Sequence, residues 1–407
     1  MRPNLPLLPV ALAVLTGLAP LPAAAQVPDS VAADTLLPFP LRPLDVRVLR
    51  RPAVLRDAPL ALSVVGGAQV ADARAGTSLR AALVAVPGVQ VDDRHNEALG
   101  ERIAIRGFGA RAQFGVRGVR VVVDGIPATS ADGQSALSHV DPALLERVEV
   151  IRGPASSLWG NAAGGVLLLE TVGPGTGPLR QELEASAGAD GLMRLESLSA
   201  GDGWLLALSR RAVDGFREWS SYEKHMLTAQ ARRAAAGGVL DGAVHAVDYE
   251  ARNPGSLSAE QRAADRTGAH PFNVSQRTGK EGRQGQAGLR WRGVVGGGDL
   301  EVAAFGIARR IANPIPPSII DLDREAGGLR ALWRGGGEDE GRVTWSVGAE
   351  SEGQWDDRRT FDNDGGQRGE AQLDQAERVC AGSGFGQVVV RPARPLTVLA
   401  GLRADRV

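Results

Sequence analysis

Residues 343–350 read Val343-Thr344-Trp345-Ser346-Val347-Gly348-Ala349-Glu350. Side chains alternate across an extended chain with period two, so Val343, Trp345, Val347 and Ala349 share one face and Thr344, Ser346, Gly348 and Glu350 the other. The pattern recurs on both sides of this stretch. Ala287, Leu289 and Trp291 oppose Gln286, Gly288, Arg290 and Arg292. Val398, Ala400 and Leu402 oppose Thr397, Gly401, Arg403 and Asp405, and Leu183, Ala185 and Ala187 oppose Glu182, Glu184 and Ser186. Roughly eleven such segments follow residue 178, separated by turn signals.

A soluble sandwich alternates in the same way, so the connections decide. Short turns such as Gly201-Asp202-Gly203, Gly237-Gly238 and Gly296-Gly297-Gly298 take turns with polar stretches at 251–282, 312–323 and 353–377, read as long loops. Short turns at one end and long loops at the other belong to a transmembrane antiparallel β-barrel. An odd strand count leaves the last residue, Val407, on the long-loop side. Bacterial barrels have even counts and plugged ones about twenty-two strands, so the expectation is a barrel incomplete in this chain.

Composition agrees with many short strands. Of 407 residues 53 are glycine, only 4% are aromatic, and the net charge of -1 leaves no electrostatic footprint for nucleic acid. The only lysines are Lys224 and Lys280; arginine supplies every other basic residue. One cysteine, Cys380, excludes an intrachain disulfide and reads as a buried or lipid-facing small residue. The five histidines, His95, His139, His225, His245 and His270, show no metal-ligand spacing, so no metal is expected. At the N-terminus Arg2 precedes an apolar run that ends in Ala23-Ala24-Ala25, a secretory signal peptide over 1–25 with a mature start at Gln26. No later run of eighteen apolar residues exists, so a membrane crossing is made by strands or not at all.

Between signal and barrel the pattern differs. Residues 26–50 form a Pro- and Ala-rich segment closing on Leu44-Asp45-Val46-Arg47-Val48. That alternating stretch suits either strand addition by a partner or the first strand of the next domain; Asp34-Thr35-Leu36-Leu37 is a second candidate. Residues 51–172 read as a compact α/β unit. A helix over 73–86 is stopped by Pro87-Gly88, strands run over 102–106, 119–123, 147–151 and 164–171, and Asp141-Pro142 starts a short helix. Residues 173–178, Gly- and Pro-rich, link it to the barrel region at 179–407.

The 83–171 stretch resembles the plug of TonB-dependent outer-membrane receptors. The resemblance rests on the order of Val86-Pro87-Gly88-Val89, Ile105-Arg106-Gly107-Phe108-Gly109, Val123-Asp124-Gly125-Ile126-Pro127, Glu146-Arg147-Val148-Glu149-Val150-Ile151-Arg152-Gly153-Pro154 and Ser157-Leu158-Trp159-Gly160-Asn161-Ala162-Ala163-Gly164-Gly165-Val166. It implies an α/β plug domain inside the barrel and a Gram-negative outer-membrane location. It implies TonB of the TonB-ExbB-ExbD complex as partner, docking on the Leu44 to Val48 TonB box. Arg106 and Arg152 are implied to pair with barrel carboxylates and hold the plug. The departure Leu167-Leu168-Leu169 is conservative for a buried strand, and the short 26–50 segment leaves no room for a signalling domain.

The resemblance also implies outward-facing plug loops that carry the ligand contacts: Arg94 and His95 in the apical loop, Phe108, Arg111, Gln113 and Arg117 in the next, and Gln134 in a third. Together with Asn253-Pro254-Gly255-Ser256-Leu257 they look most like ferric-siderophore and ferric-citrate receptors, with arginines binding an anionic chelate by charge-assisted hydrogen bonds. Haem, cobalamin or another chelate is the alternative within the same architecture, and an adhesin or phage-binding protein without transport the alternative class. No catalytic constellation is present, and Gly107-x-Gly109 lacks the spacing of a dinucleotide fingerprint. The expectation is a monomeric, non-enzymatic transporter in contact with outer-membrane lipid. It needs no cofactor, and iron enters only as cargo.

Overall fold

The computed structural model describes residues 45–46, 53–54, 60–66, 69–70, 78–93, 95–112, 115–153, 156–336, 342–393 and 396–407. Its first part contains β1 (Asp45–Val46), β2 (Ala53–Val54), β3 (Leu62–Gly66), β4 (Val89–Asp92), β5 (Arg102–Ile105), β6 (Val116–Arg117), β7 (Val119–Val123), β8 (Ile126–Pro127), β9 (Gln134–Ser135), β10 (Leu145–Arg152) and β11 (Gly165–Thr171). Five of these form one mixed sheet in the order β3-β10-β11-β7-β8, with β7 parallel to β11 and the other neighbours antiparallel. β1 pairs with β2, β4 with β5 and β6 with β9.

The apolar runs of β7, β10 and β11 are continuous because both faces of the sheet are covered. Val119, Val121 and Val123 pack with Val148, Val150, Leu167, Leu169, Ile103 and Leu83 on one side. On the other, Val122, Ile151, Val166 and Leu168 meet Leu158 and Trp159, and beyond them Leu332 and Phe385 of the second part. Arg120 interrupts the β7 run and is nonetheless buried, since it pairs with Glu352. The helix expected over 73–86 is described as Arg80–Leu83, with 71–77 outside the described residues. Pro142–Leu144 is a 3₁₀ turn, and Asp141 caps it by accepting from the Ala143 N–H at 3.0 Å.

The second part is one antiparallel sheet of eleven strands, the number read from the alternation. They are β12 (Arg180–Ala187), β13 (Met193–Gly201), β14 (Trp204–Val213), β15 (Tyr222–Ala235), β16 (Gly238–Arg252), β17 (Gly279–Val295), β18 (Gly298–Pro314), β19 (Ser318–Gly335), β20 (Val343–Asp364), β21 (Gln367–Ala393) and β22 (Leu396–Arg406). Each pairs with its neighbours in chain order, and β12 and β22 are the sheet edges. The sheet curves around the first part. Leu144 packs on Leu198, Ala200, Leu205 and Ala207 near one edge, while Trp159 packs near Phe385 at the other.

Polarity places the membrane. On β20 the outward face runs Val343, Trp345, Val347, Ala349, Ser351, Gly353 and Trp355 before turning charged at Asp357, while Glu350, Glu352, Gln354 and Asp356 point inward. Trp345 and Trp355 are ten residues apart, ~33 Å along a strand and ~25 Å in height at the usual tilt, the height of the apolar band on a membrane-spanning barrel. Near the short turns Trp333 and Trp345 stack edge to face with centroids 5.0 Å apart, and the Trp291 indole donates to the Ala235 carbonyl. Aromatic side chains of this kind ring the membrane interface of such barrels.

Two stretches read as loops are strand. Residues 312–323 and 353–377 continue β18–β19 and β20–β21, which close at 315–317 and at Gly365-Gly366. A crossing needs about 9–11 residues, so β20 with 22 residues and β21 with 27 extend far beyond the bilayer. Water bathes both faces there, and the apolar period that marks a strand disappears. The stretch 251–282 does hold a long connection, with helices Ala259–Ala264 and Pro271–Ser275.

Candidate functional site

The first part seats on the sheet through a polar seam. Near the short-turn end is the turn between β7 and β8. Asp124 sits at φ 50° and accepts from the N–H and Oγ1 of Thr171, both at 2.8 Å. From the sheet, Gln230 Nε2 donates to the same carboxylate at 3.2 Å, and His245 Nε2 lies 2.9 Å away. His245 is fully buried, with Nδ1 3.2 Å from Thr228 Oγ1. Arg330, paired with Glu301, donates to the Gly125 carbonyl at 3.1 Å. Gly125 has φ +82°, and a Cβ there would lie 2.3 Å from Arg290 Nη1. The left-handed backbone conformation is what calls for glycine here, since the Arg290 guanidinium is the end of a flexible side chain that can shift.

Further along, His139 sits between two strand glutamines of β17. Gln284 Nε2 donates to its Nδ1 and its Nε2–H donates to Gln286 Oε1, each at 2.7 Å. That arrangement assigns a neutral Nε2–H tautomer. Burial, and then the nearby His245, pull the His139 pKa down to about 3, which keeps the ring neutral. Gln286 in turn donates to the Ile126 and Pro127 carbonyls. Ion pairs complete the seam. Arg120 pairs with Glu352, and Arg324 bridges Asp132 at 2.9 Å to Asp356 at 2.6 Å. Asp141 accepts from Ser209 Oγ at 2.6 Å.

At the long-loop end, Glu97 pairs with Lys224, and Asn96 Nδ2 donates to Asn253 Oδ1 at 2.9 Å. The connection that begins at Asn253 is well braced. Ser258 and Gln261 form a capping box, and Arg217 donates to the Gly255 carbonyl at 2.7 Å and to the Gly268 carbonyl. Contact between the first part and the wall thus runs from one end of the sheet to the other.

The structure places the expected site residues as follows. Arg117 is exposed and pairs with Gln134 across β6 and β9; with the Gln134 amide turned so that its oxygen faces the guanidinium, that oxygen accepts from Arg117 Nε at 3.1 Å. Phe108 is half exposed, bridged to Ile105 and lying against Gly164, and Arg111 is exposed in the same turn. His95 is exposed at φ 49°, its N–H bonded to Asp93. Arg94 and Gln113 lie outside the described residues, as do Leu44, Arg47 and Val48. Asp45 and Val46 pair with Val54 and Ala53. The pairing expected of Arg106 and Arg152 with barrel carboxylates is not made among the described residues. Arg106 is exposed, and Arg152 donates to the Pro87 carbonyl at 3.2 Å, within the first part. Arg120, Arg324 and the Asp124 turn make the seam instead. Sequence reasoning missed them because an inward polar residue on a strand announces its face and not its partner. Cys380 is exposed, opposite Gly353 on the outward face.

Comparison with known proteins gives a consistent picture. Residues 54–166 match the family model described as TonB-dependent Receptor Plug Domain. The chain is 35% identical over 122 residues to the hemin receptor of Yersinia pestis, covering 28% of this chain and 16% of that protein. It is 32% identical over 141 residues to the ferrichrome outer membrane transporter/phage receptor of Escherichia coli K12, covering 34% and 18%. Among solved structures, the ferric yersiniabactin uptake receptor of Yersinia pestis superposes with a TM-score of 0.68 at 16% identity, over 85% of this chain and 56% of that one. The chain thus spans little more than half the length of that structure.

Proposed function

Because the chain belongs to the TonB-dependent receptors of the Gram-negative outer membrane, with its plug and eleven barrel strands, we propose that it imports a ferric siderophore or similar iron chelate into the periplasm. The observation that carries the reading is the seam. The plug fills the inner side of the sheet and is held along its height by polar contacts, with apolar clusters at Leu144 and at Trp159 near the two sheet edges. Such contacts break and re-form at modest cost when each partner can find water. Ligand binds from outside against the plug loops and the wall. Its differential affinity for the shifted plug couples that site to the N-terminal segment, where TonB adds a strand at Leu44 to Val48 and pulls. No covalent step and no resident cofactor is needed; iron travels as cargo. The relatives are receptors and transporters, and none supports an adhesin without transport.

Haem is the second reading, favoured by the similarity of the plug to a hemin receptor. A deletion strain, complemented with the full-length gene and grown under iron limitation on single ferric chelates, haem or cobalamin, tests both. Growth restored on one ferric chelate supports the first reading, and growth restored on haem alone the second. Unimpaired uptake of every compound in the deletion strain would sink the transport reading.

A further inference from the structure

The connection between β10 and β11 leaves the plug sheet at Gly153 and returns at Gly164, and the Gly153 N–H donates to the Gly164 carbonyl at 3.0 Å. A compact loop with its ends joined can shift as a unit while the strands on either side stay paired. Gly153 at φ +113° and Gly160 at φ +68° bracket its helix, Ser156–Trp159, in conformations that glycine adopts without strain. The 156–164 segment touches two of the turns that carry expected ligand residues. The Gly164 N–H donates to the Gly118 carbonyl, beside Arg117, at 2.8 Å, and a Cβ on Gly164 would lie 2.5 Å from Phe108 Cβ. A Cβ on Gly133, beside Gln134, would lie 2.3 Å from Asn161 Nδ2.

The apolar residues of the segment meet the wall. Leu158 and Trp159 cluster with Leu332 of β19 and Phe385 of β21. Strand register sets those two on one row, since Leu332 is opposite Gly348 and Gly348 is opposite Phe385. The Phe385 ring lies over the bare glycine, where a Cβ would come within 2.4 Å of its Cζ. The next row toward the long loops is polar. Arg330, Glu350 and Ser383 are in register there, and Arg403 donates to both Glu350 and Ser383. Toward the short turns come Ser346, opposite Gln387, and then Thr344. Ser346 Oγ, Gln387 Oε1 and Thr344 Oγ1 are buried and make no hydrogen bond among the described residues.

One apolar row thus separates two polar ones. Buried polar atoms without protein partners are satisfied by water, so the seam is wet beneath the apolar row. A constriction lined by apolar groups stops water and ions by dewetting. We infer that the contact of Leu158 and Trp159 with Leu332 and Phe385 is a hydrophobic seal, which closes the plug–wall seam along β19 to β21 and parts when the 156–164 segment shifts. A ligand that displaces the Phe108 or the Gln134 turn moves the segment with it, through Gly164 and Asn161. This opening step deepens the import reading and rests on it; the seal stands on the geometry alone.

Ion conductance of the purified full-length receptor in planar bilayers tests the seal. Trp159→Ala and Phe385→Ala should each raise it several-fold, and Trp159→Phe, which keeps an apolar ring, should restore closure. Leu83→Ala opens a cavity in the plug core away from the wall and should leave the conductance as it was. Heat-modified gel mobility shows that the variants are folded. Unchanged conductance in both folded alanine variants at the wall overturns the seal. So does an equal rise in Leu83→Ala, which would report a loosened plug and not a local barrier. Iron-limited cells supplied with hemin, ferric citrate or a ferric trihydroxamate test the opening. In a receptor carrying Cys380→Ser, Trp159→Cys and Phe385→Cys, a reducible thiol cross-linker should stop uptake, and reduction should bring it back. Uptake that continues through the cross-linked receptor overturns the opening. If the receptor takes up none of the three, the opening step falls with the import reading, while the conductance still decides the seal.

Discussion

At the scale of single residues, Asp124 joins more elements than any other group in the seam. Its carboxylate takes two hydrogen bonds from Thr171 in the plug and faces Gln230 and His245 on adjacent strands. Asp124→Asn and His245→Gln should each destabilise the seated plug, and the double variant should lose less than the sum. A coupling of about 0.5–3 kcal/mol is expected for groups in contact, measured by denaturation of the folded receptor; strict additivity would mean that the contact contributes nothing. Glu101 supplies a pH signature. Its pKa rises from an ordinary 4.5 to about 7 on folding. Between those values the folded state holds a proton that the unfolded state has lost. Stability therefore falls as pH rises through the window and levels off above it. Unfolding titrations from pH 4 to 8 should show this slope in the native protein and a shallower one in Glu101→Gln.

At the scale of elements, legibility followed the solvent on each face. Strands with lipid outside and polar groups inside, such as the segments around Trp345 and Leu289, declare themselves by alternation. The ends of β18 to β21 have water on both faces, and at Asp356-Asp357-Arg358-Arg359 every residue is charged, so strand and loop look alike. Those ends hold together through cross-strand pairs that no period shows, among them Arg310 with Asp323 at 2.7 Å and Arg368 with Asp321 at 2.8 Å. In the plug, the apolar runs of β7 and β11 were legible, but their parallel pairing, with β8, β9 and β10 between them in the chain, was not. The same geometry fixes the sidedness of the hairpins. A short epitope inserted between Gly365 and Gly366 should be reached by antibody on intact cells. The same epitope between Gly296 and Gly297 should be reached only after the outer membrane is permeabilised. The reverse result would invert the barrel.

At the scale of the whole molecule, the contacts between plug and wall are stacked in one direction, from the long-loop end to the short-turn end. The Glu97–Lys224 pair lies at the long-loop end, the Asp124 turn at the short-turn end, and the His139 and Arg324 contacts between them. The expected ligand residues did not capture this stacking, because they were taken from loops alone. The basic residues on the cavity between the plug and the sheet, Arg211, Lys224, Lys280 and Arg309, all come from strands, and their meeting depends on the register of β14 through β18.

The position of β3 carries a mechanical meaning. It is the first strand of the five-stranded plug sheet in the chain and lies at its edge, held by β10 alone through the register Leu62 opposite Ile151 to Gly66 opposite Arg147. Tension applied from the N-terminal side reaches this strand before any other member of the sheet. Stripping it off leaves β10, β11, β7 and β8 with their mutual pairings intact. The plug should therefore yield in steps, a weak early rupture followed by a stiffer remainder, instead of failing all at once. Single-molecule extension of the full-length receptor from its N-terminus should resolve that early event. A cross-link between β3 and β10 should abolish it and move the first rupture to higher force.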